Sequence, residues 1–309
     1  MIQEKISIVI VCYKEGKLLQ RALDSVFAQD DRDFELVVVK NASSCDETLR
    51  ICKGLEGIEN VRVVYRDTNE GNVAARNDGF KVASGDVLIP LDGDDDLPTY
   101  VVATVKKVFA AHPDADFIFS DYRLVNVETG ESKIIDGSAI ADDQGWLVGQ
   151  RFAAGTMFLG TTSCRRSTWQ RVGGYKGSLY GWQDVEFWMR VIASGARGLY
   201  VNKVLYTWYR SIKGVNASTP QFRLWEVHLN SRTFHQMFGD WGMVCEGFLH
   251  YAANQFESPQ TRKLMRSNWW RLFQGSRSLL PLYFRALMKC IFPPVLVSAI
   301  VNIKRKPEA

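Results

Sequence analysis

In its first 120 residues this chain repeats one alternation: a short run of β-branched and leucine residues, then a longer segment with helical periodicity. That alternation restricts the fold more than any other feature of the sequence. Ile6–Val11, Phe34–Val39, Val61–Tyr65, Asp86–Leu91 and Phe117–Ser120 read as strands, and the unbroken apolar character of the first is that of a strand buried on both faces. Between them, Leu18–Ala28 sets Leu19, Ala22, Leu23, Val26 and Phe27 on one helical face. Asp46–Gly54, Val73–Ala83 and Tyr100–Ala111 complete the pattern, with Gly54 and His112-Pro113 as stops. Such repetition predicts a parallel α/β sheet with right-handed crossovers.

Beyond about Asp121 the rhythm is lost. Arg123–Ile135 predicts a hairpin turning at Thr129-Gly130, Ser167–Val172 and Val185–Ala193 predict helices, and Val201–Tyr209 a late strand. From about Gln221 the chain reads as helical, broken at Pro259, Pro281 and Pro293-Pro294. The expected organisation is an α/β domain over residues 1–215 and a helical C-terminal extension over 216–309. The uncharged segment Cys290–Ile303 is 14 residues long, short of the roughly 20 a membrane-spanning helix needs, and it contains two prolines.

With 309 residues, 46% hydrophobic and 12% aromatic, the chain can bury a full core, which excludes disordered, collagen-like and coiled-coil classes. Its 38 basic and 34 acidic side chains are unevenly placed: Thr261–Ala309 carries +9 and the residues before it −5. The basic tail holds Trp269, Trp270, Tyr283 and Phe284 beside Arg285, Lys289 and Lys304-Arg305-Lys306, a composition suited to an anionic membrane surface. Packing on the α/β domain or on a second copy is the alternative. A basic excess confined to an apolar segment argues against nucleic acid. Cys12, Cys45, Cys52, Cys164, Cys245 and Cys290 form no Cys-x-x-Cys pair, and Met1 leads into a charged strand without a secretory signal. The expected setting is therefore cytoplasmic with reduced thiols, peripheral at the inner face of the cytoplasmic membrane.

The densest chemical feature is Leu91-Asp92-Gly93-Asp94-Asp95-Asp96, at the carboxyl end of the fourth strand, where open α/β sheets bind ligands. Four adjacent carboxylates repel one another unless a cation offsets them, and oxygen-only ligands select Mg²⁺ or Mn²⁺. A calcium-hand loop fails, because Leu97 and Ala103 stand where Gly and Glu are needed. An aspartyl phosphatase would carry its acidic motif on the first strand, which ends here in Val11-Cys12-Tyr13. An ordinary acidic turn is the remaining alternative.

Taken together, the segments resemble the family 2 glycosyltransferases of the GT-A fold over about residues 5–215. Ser7-Ile8-Val9-Ile10-Val11-Cys12-Tyr13 with Ala22–Gln29 looks like the family's opening strand and helix, and Asn69-Glu70-Gly71-Asn72-Val73-Ala74-Ala75-Arg76-Asn77 like its N-x-G-x-x-x-A-R-N stretch. Asp92-Gly93-Asp94-Asp95 resembles its DxD element, and Val172-Gly173-Gly174-Tyr175 with Gly181-Trp182-Gln183-Asp184-Val185-Glu186-Phe187-Trp188 its acceptor-side motif. The resemblance implies an α/β GT-A Rossmann-like mixed sheet with a helical C-terminal extension. It implies inverting transfer of a sugar from a nucleotide-diphosphate donor to a glycan or lipid-linked acceptor in cell-surface polysaccharide synthesis. In that scheme Asp94 and Asp92 hold Mn²⁺ or Mg²⁺, Asp184 is the general base, and Arg76 approaches the diphosphate. Main chain at Val11, Cys12, Tyr13 and Gly93 borders the donor, and Trp182 and Gln183 face the acceptor.

Each assignment has a plainer competitor. Asp184 could cap the Val185–Ala193 helix, Arg76 could be a surface ion-pair residue, and Glu186 and Asp121 are other candidate bases. The chain also departs from the family pattern. Lys40 stands where the family has a base-reading Asp, leaving Asn41 as the local group able to accept a hydrogen bond from a nucleobase. Gln183 replaces an acidic residue, and Tyr209-Arg210 is followed by Ser211-Ile212-Lys213 with no His, which implies either weak metal affinity or a share of the charge compensation for Arg210 or Lys213. His228 and His235 share a helical face but lack a third ligand. Lys40 and the missing His favour the rival reading, an inactive nucleotide- or glycan-binding relative, while intact Asp92, Asp94 and Asp184 oppose it. A nucleotidyltransferase would need a Gly-rich phosphate loop where Cys12-Tyr13-Lys14-Glu15-Gly16 stands, and a dinucleotide dehydrogenase would need Gly-x-Gly-x-x-Gly there.

Overall fold

Every residue of strand β1 (Ile6–Cys12) is buried, Ser7 included, a pattern only a central strand covered on both faces sustains. In the computed structural model β1 lies between β2 (Phe34–Asn41) and β4 (Val87–Asp92), with β3 (Val61–Arg66) outside β2, all four parallel. The structure describes residues 4–153, 162–176, 183–211, 257–275 and 280–291, together with Cys245, Phe248, Leu249, Ala252 and Ala253.

The expected helices connect these strands: α1 (Lys17–Phe27), α2 (Asp46–Gly54), α3 (Asn72–Val82) and α4 (Val101–Ala111). Leu19, Ala22, Leu23 and Val26 of α1, Ile51 and Cys52 of α2 and Val101, Val102, Val105 and Phe109 of α4 join Ile6, Ile8, Ile10 and Cys12 in one core. The opposite face belongs to α3. A Cβ on Gly79 would stand 2.5 Å from Val9 Cγ1 and 2.9 Å from Val39 Cγ2, so only glycine lets α3 approach this closely.

The second half of the sheet is mixed, as the expected hairpin and GT-A resemblance imply. β5 (Phe117–Asn126) runs well past Ser120 and pairs antiparallel with β6 (Ser132–Ile135), forming the expected hairpin with Gly130 at φ 73° in its turn. A three-residue strand, β7 (Ser163–Arg165), wedges antiparallel between β4 and β5. The late strand β8 (Gly198–Arg210) pairs parallel with β5, with a register shift around Asp121. The sheet has eight strands in the order β3-β2-β1-β4-β7-β5-β6, with β8 on β5. Helix α5 (Gly149–Ala153) begins at the boundary between the two units, and α6 (Arg166–Arg171) and α7 (Gln183–Ala193) follow in this half.

The chain divides into two units, residues 1–149 with 157–219, and residues 150–156 with 220–309. In the second, α8 (Pro259–Ser267) opens with Pro259 at its start and with Ser258 Oγ accepting from the Thr261 amide at 3.3 Å. It is followed by α9 (Trp269–Gly275) and α10 (Leu280–Ile291). Pro259 and Pro281 thus sit at helix starts, as the sequence predicts; Pro293-Pro294 lies outside the described residues. Among the described residues no helix is long and apolar enough to cross a membrane.

Candidate active site

The parallel ladder brings the carboxyl ends of β1, β2, β3 and β4 to one edge, pairing Val11 with Asp92, Cys12 with Lys40 and Asn41 with Arg66. Val11 and Cys12 are buried, and the Cys12 thiol turns inward to Val39 O and to Cys52 Sγ, 3.8 Å away, so this stretch offers main chain rather than side chains to a ligand. The Val11 carbonyl accepts from the Gly93 amide at 3.1 Å, which ties the acidic turn to β1. Tyr13 donates its amide to Glu15.

Arg76 is the hub. Its side chain, 8% exposed, donates to Asp92 Oδ1 and, at 2.9 Å, to Asp184 Oδ1, with the Tyr175 ring 5.4 Å away. Burial alone would weaken its charge, but Asp92 and Asp184 more than compensate and hold it protonated. Arg76 is therefore no surface ion-pair residue. Asp184 lies within the first turn of α7 rather than ahead of it, so it is not the cap of a helix starting at Val185. Burial raises its pKa, Arg76 pulls against that shift, and Asp92 adds to it. The other candidate bases are committed elsewhere. Glu186 forms a two-pronged ion pair with Arg190 at 2.6 and 2.8 Å, and Asp121 Oδ1 accepts from Tyr200 Oη and the Gly137 amide at 2.7 and 2.8 Å.

The motifs quoted from the sequence pack on one another. Asn77, next to Arg76, accepts from the Tyr175 amide at 2.9 Å and donates to the Tyr175 carbonyl at 2.8 Å. Gly173 and Gly174 both have φ 72°, and a Cβ on Gly174 would reach 2.7 Å from Asn77 Oδ1, so the turn requires the glycine pair. Arg190 of α7 donates to the Val172 and Gly174 carbonyls at 2.6 and 2.8 Å, while Tyr175 stacks on Phe187 with centroids 4.0 Å apart. Through these contacts the Gly-Gly-Tyr turn carries Asp184 to Arg76.

The acidic turn is braced from β8. Asp95 is buried, accepting from Tyr206 Oη and from the Tyr209 amide, both at 2.8 Å. Tyr206 Oη in turn accepts from the Asp92 amide at 3.2 Å, and Tyr209 Oη donates to Asp96 at 2.8 Å. Burial, then the charges of Asp94 and Asp92, push the Asp95 carboxyl well up. Asp94 stands at the exposed tip. Desolvation within the turn and the charges of Asp92 and Glu15 push it up to about 6, against the pull of Arg21, which also donates to the Asp94 carbonyl. Glu15, raised chiefly by burial, is a fifth carboxyl at this edge.

Two carboxylates on one turn, one of them raised by desolvation and by its acidic neighbours, are a donor set suited to a hard divalent cation. Among the described residues no group of three or more His, Cys, Asp or Glu surrounds a single point, so substrate or water oxygens would complete such a shell. His112 packs on Trp146, and His228 and His235 lie outside the described residues.

At the end of β2, Lys40 is buried and donates to the Ser43 carbonyl at 2.6 Å. Asn41, 4% exposed, donates to Asn69 and accepts from Arg66, each at 2.9 Å. One lone pair of its carbonyl is thus engaged by a residue absent from the sequence expectation. Arg66 is itself held by Asp78 at 2.9 Å. Gln183 opens α7; Trp182 lies outside the described residues. Sequence reasoning placed Asp95 in the acidic run and Tyr209 beside Arg210 without giving either a bracing role, and it missed Glu15, Arg21, Arg66 and Tyr206. Only Glu15, an acid just past β1, carried a local signal.

The chain matches the family model for glycosyl transferase family 2 over residues 7–163. It is 29% identical over 192 residues to the uncharacterized glycosyltransferase YwdF of Bacillus subtilis, covering 60% of this chain and 67% of that one. It is 32% identical over 108 residues to the poly-β-1,6-N-acetyl-D-glucosamine synthase of Staphylococcus epidermidis, covering 34% of this chain and only 26% of the synthase. Among solved structures, S. aureus TarS 1-349 in complex with UDP-GlcNAc superposes with a TM-score of 0.61 at 18% identity, over 93% of this chain and 80% of that one. The mannosyltransferase PcManGT of Pyrobaculum calidifontis, in complex with GDP-Man and Mn²⁺, gives 0.58 at 17% identity over 94% and 87%. The fold is a GT-A-like mixed α/β sheet followed by a helical C-terminal segment. With the family model matched over more than half of its length, this chain belongs to glycosyl transferase family 2.

Proposed function

We propose that this chain is an inverting glycosyltransferase that moves a sugar from a nucleoside-diphosphate donor to an acceptor hydroxyl, with Asp184 as the general base. The observation that carries the reading is the Arg76 bridge, which joins the donor-side Asp92 and the α7 carboxylate Asp184 at one point. Asp184 takes the acceptor proton as the acceptor oxygen bonds to the anomeric carbon and the bond to the diphosphate oxygen breaks on the opposite face. Its raised pKa makes it a stronger base than an ordinary carboxylate. Arg76 touches Asp92 and Asp184, and in this reading its fork, which suits phosphate oxygens, meets the departing diphosphate. Asp94 and Asp92 would hold Mn²⁺ or Mg²⁺, which would compensate the charge of the leaving diphosphate.

Main chain at Val11, Cys12, Tyr13 and Gly93 borders the donor in this reading, Asn41 faces its base, and Trp182 and Gln183 face a glycan or lipid-linked acceptor. The UDP-GlcNAc and GDP-Man complexes of the structural neighbours support a nucleotide-sugar donor, and similarity to a polysaccharide synthase supports cell-surface glycan synthesis. Residues 1–215 would carry the reaction and 216–309 form an extension. Six free thiols fit the reducing cytoplasm.

The test pairs binding with turnover. A thermal-shift panel of UDP, GDP, dTDP, CDP and ADP, each with and without Mn²⁺, should single out one nucleotide; at 100 times its dissociation constant a ligand stabilises by about 2.7 kcal/mol. Asp184→Asn should keep that shift and lose about 10²- to 10⁴-fold in transfer rate. Wild-type turnover by Asp184→Asn would overturn the assignment of the base. Retained cellular function with no transfer by either protein would favour the inactive relative.

A further inference from the structure

The helices of the second unit leave large apolar side chains in water. α10 buries Tyr283, Ala286 and Cys290 along one stripe, while Phe284, Met288 and Ile291, at i, i+4 and i+7, form a second stripe 49–52% exposed. α9 adds Trp269 and Trp270, at 51% and 53%. The two sets are linked by a chain of rings that runs through the half-buried Phe273 and the buried Tyr283. Ring contacts run from Trp269 to Trp270 at 5.4 Å, on to Phe273 at 5.6 Å, to Tyr283 at 5.5 Å and to Phe284 at 5.3 Å. Five of the eleven exposed large hydrophobic side chains among the described residues fall in this short stretch, which marks an interaction surface rather than scattered exposure.

Charge selects the occupant. Residues 258–291 contain seven Lys and Arg and no Asp or Glu, and Lys263, Arg266, Arg271 and Arg285 are exposed. A second copy would set these cations against an identical set. A nucleic acid would accept the cations but leave Phe284, Met288 and Ile291 in water. An anionic phospholipid leaflet satisfies both, with headgroups for the cations, acyl chains for the stripe and a boundary where tryptophan rings reside. We propose that α9 and α10 form a docking face for an anionic membrane surface. The proposal draws on neither the base nor the metal of the transfer reaction, so nucleotide binding is a separate readout.

The full chain should sediment with phosphatidylcholine vesicles containing phosphatidylglycerol, not with phosphatidylcholine alone, and added salt should release it. Arg285→Gln should lower partitioning about fivefold. Phe284→Ser with Met288→Ser should lower it by at least about tenfold, leaving the nucleotide-induced thermal shift unchanged. Absence of vesicle binding, or wild-type partitioning by these variants, would overturn the proposal. So would a concentration-dependent dimer that dissociates in the Phe284→Ser/Met288→Ser protein, which would give the patch to a second copy.

Discussion

Asp94 shows how a single side chain can set the pH response of the site. Its folded-state pKa is about 6, against an ordinary 3.8, because desolvation and the charges of Asp92 and Glu15 oppose ionisation. The folded chain therefore holds this proton more tightly than the unfolded one, and ionisation costs stability as pH rises from about 4 to about 6. Asp94→Asn should raise the melting temperature of the metal-free protein at pH 8, with the difference closing toward pH 4. Water around the exposed tip limits the gain to about 1 kcal/mol. Mn²⁺ affinity of the wild-type chain, measured by calorimetry, should fall as pH drops through about 6, since the protonated carboxyl is a poor ligand. At this scale the sequence was informative where chemistry is carried by contiguous motifs. Asp92, Asp94, Arg76 and Asp184 could each be named from their neighbours, although their joining through one guanidinium could not. Tyr206 had no local signature, because its partners Asp95 and the Asp92 amide lie more than a hundred residues earlier in the chain.

At the scale of elements, β8 is what makes the acidic turn rigid. Tyr206→Phe removes the hydroxyl that donates to Asp95 and accepts from the Asp92 amide. It should cost about 1–3 kcal/mol in urea unfolding, the penalty for stranding buried polar partners, and should weaken Mn²⁺ binding without altering the acid-side pH dependence set by Asp94. The elements themselves were legible in proportion to their length and periodicity. β1 to β4 and their helices stand where the apolar runs predict them, within a residue or two. β7 did not, since three residues carry no period, and its strand status comes entirely from the neighbours it bridges. β5 was cut short at Ser120 because its continuation beyond the core turns half-exposed and loses the apolar run.

For the whole molecule, a short internal segment groups with the C-terminal residues. Residues 150–156 belong with 220–309, so deleting the C-terminal stretch should remove packing from a segment inside the first 219 residues. Calorimetry of such a truncation should show a lower melting temperature than the full chain, with far-UV circular dichroism still reporting the sheet. The long-range bonds of the site have a further consequence, in the order in which the chain is made. Arg76 meets Asp184 across 108 positions and Asp95 meets Tyr206 across 111. A ribosome has therefore finished β1 to β4, with the acidic turn at their edge, about a hundred residues before it supplies the base or the brace. Closure of such long loops is slow relative to helix formation. The newborn sheet must carry its cluster of carboxylates unbraced until β8 is complete, and the site is the last part of the sheet to come into being.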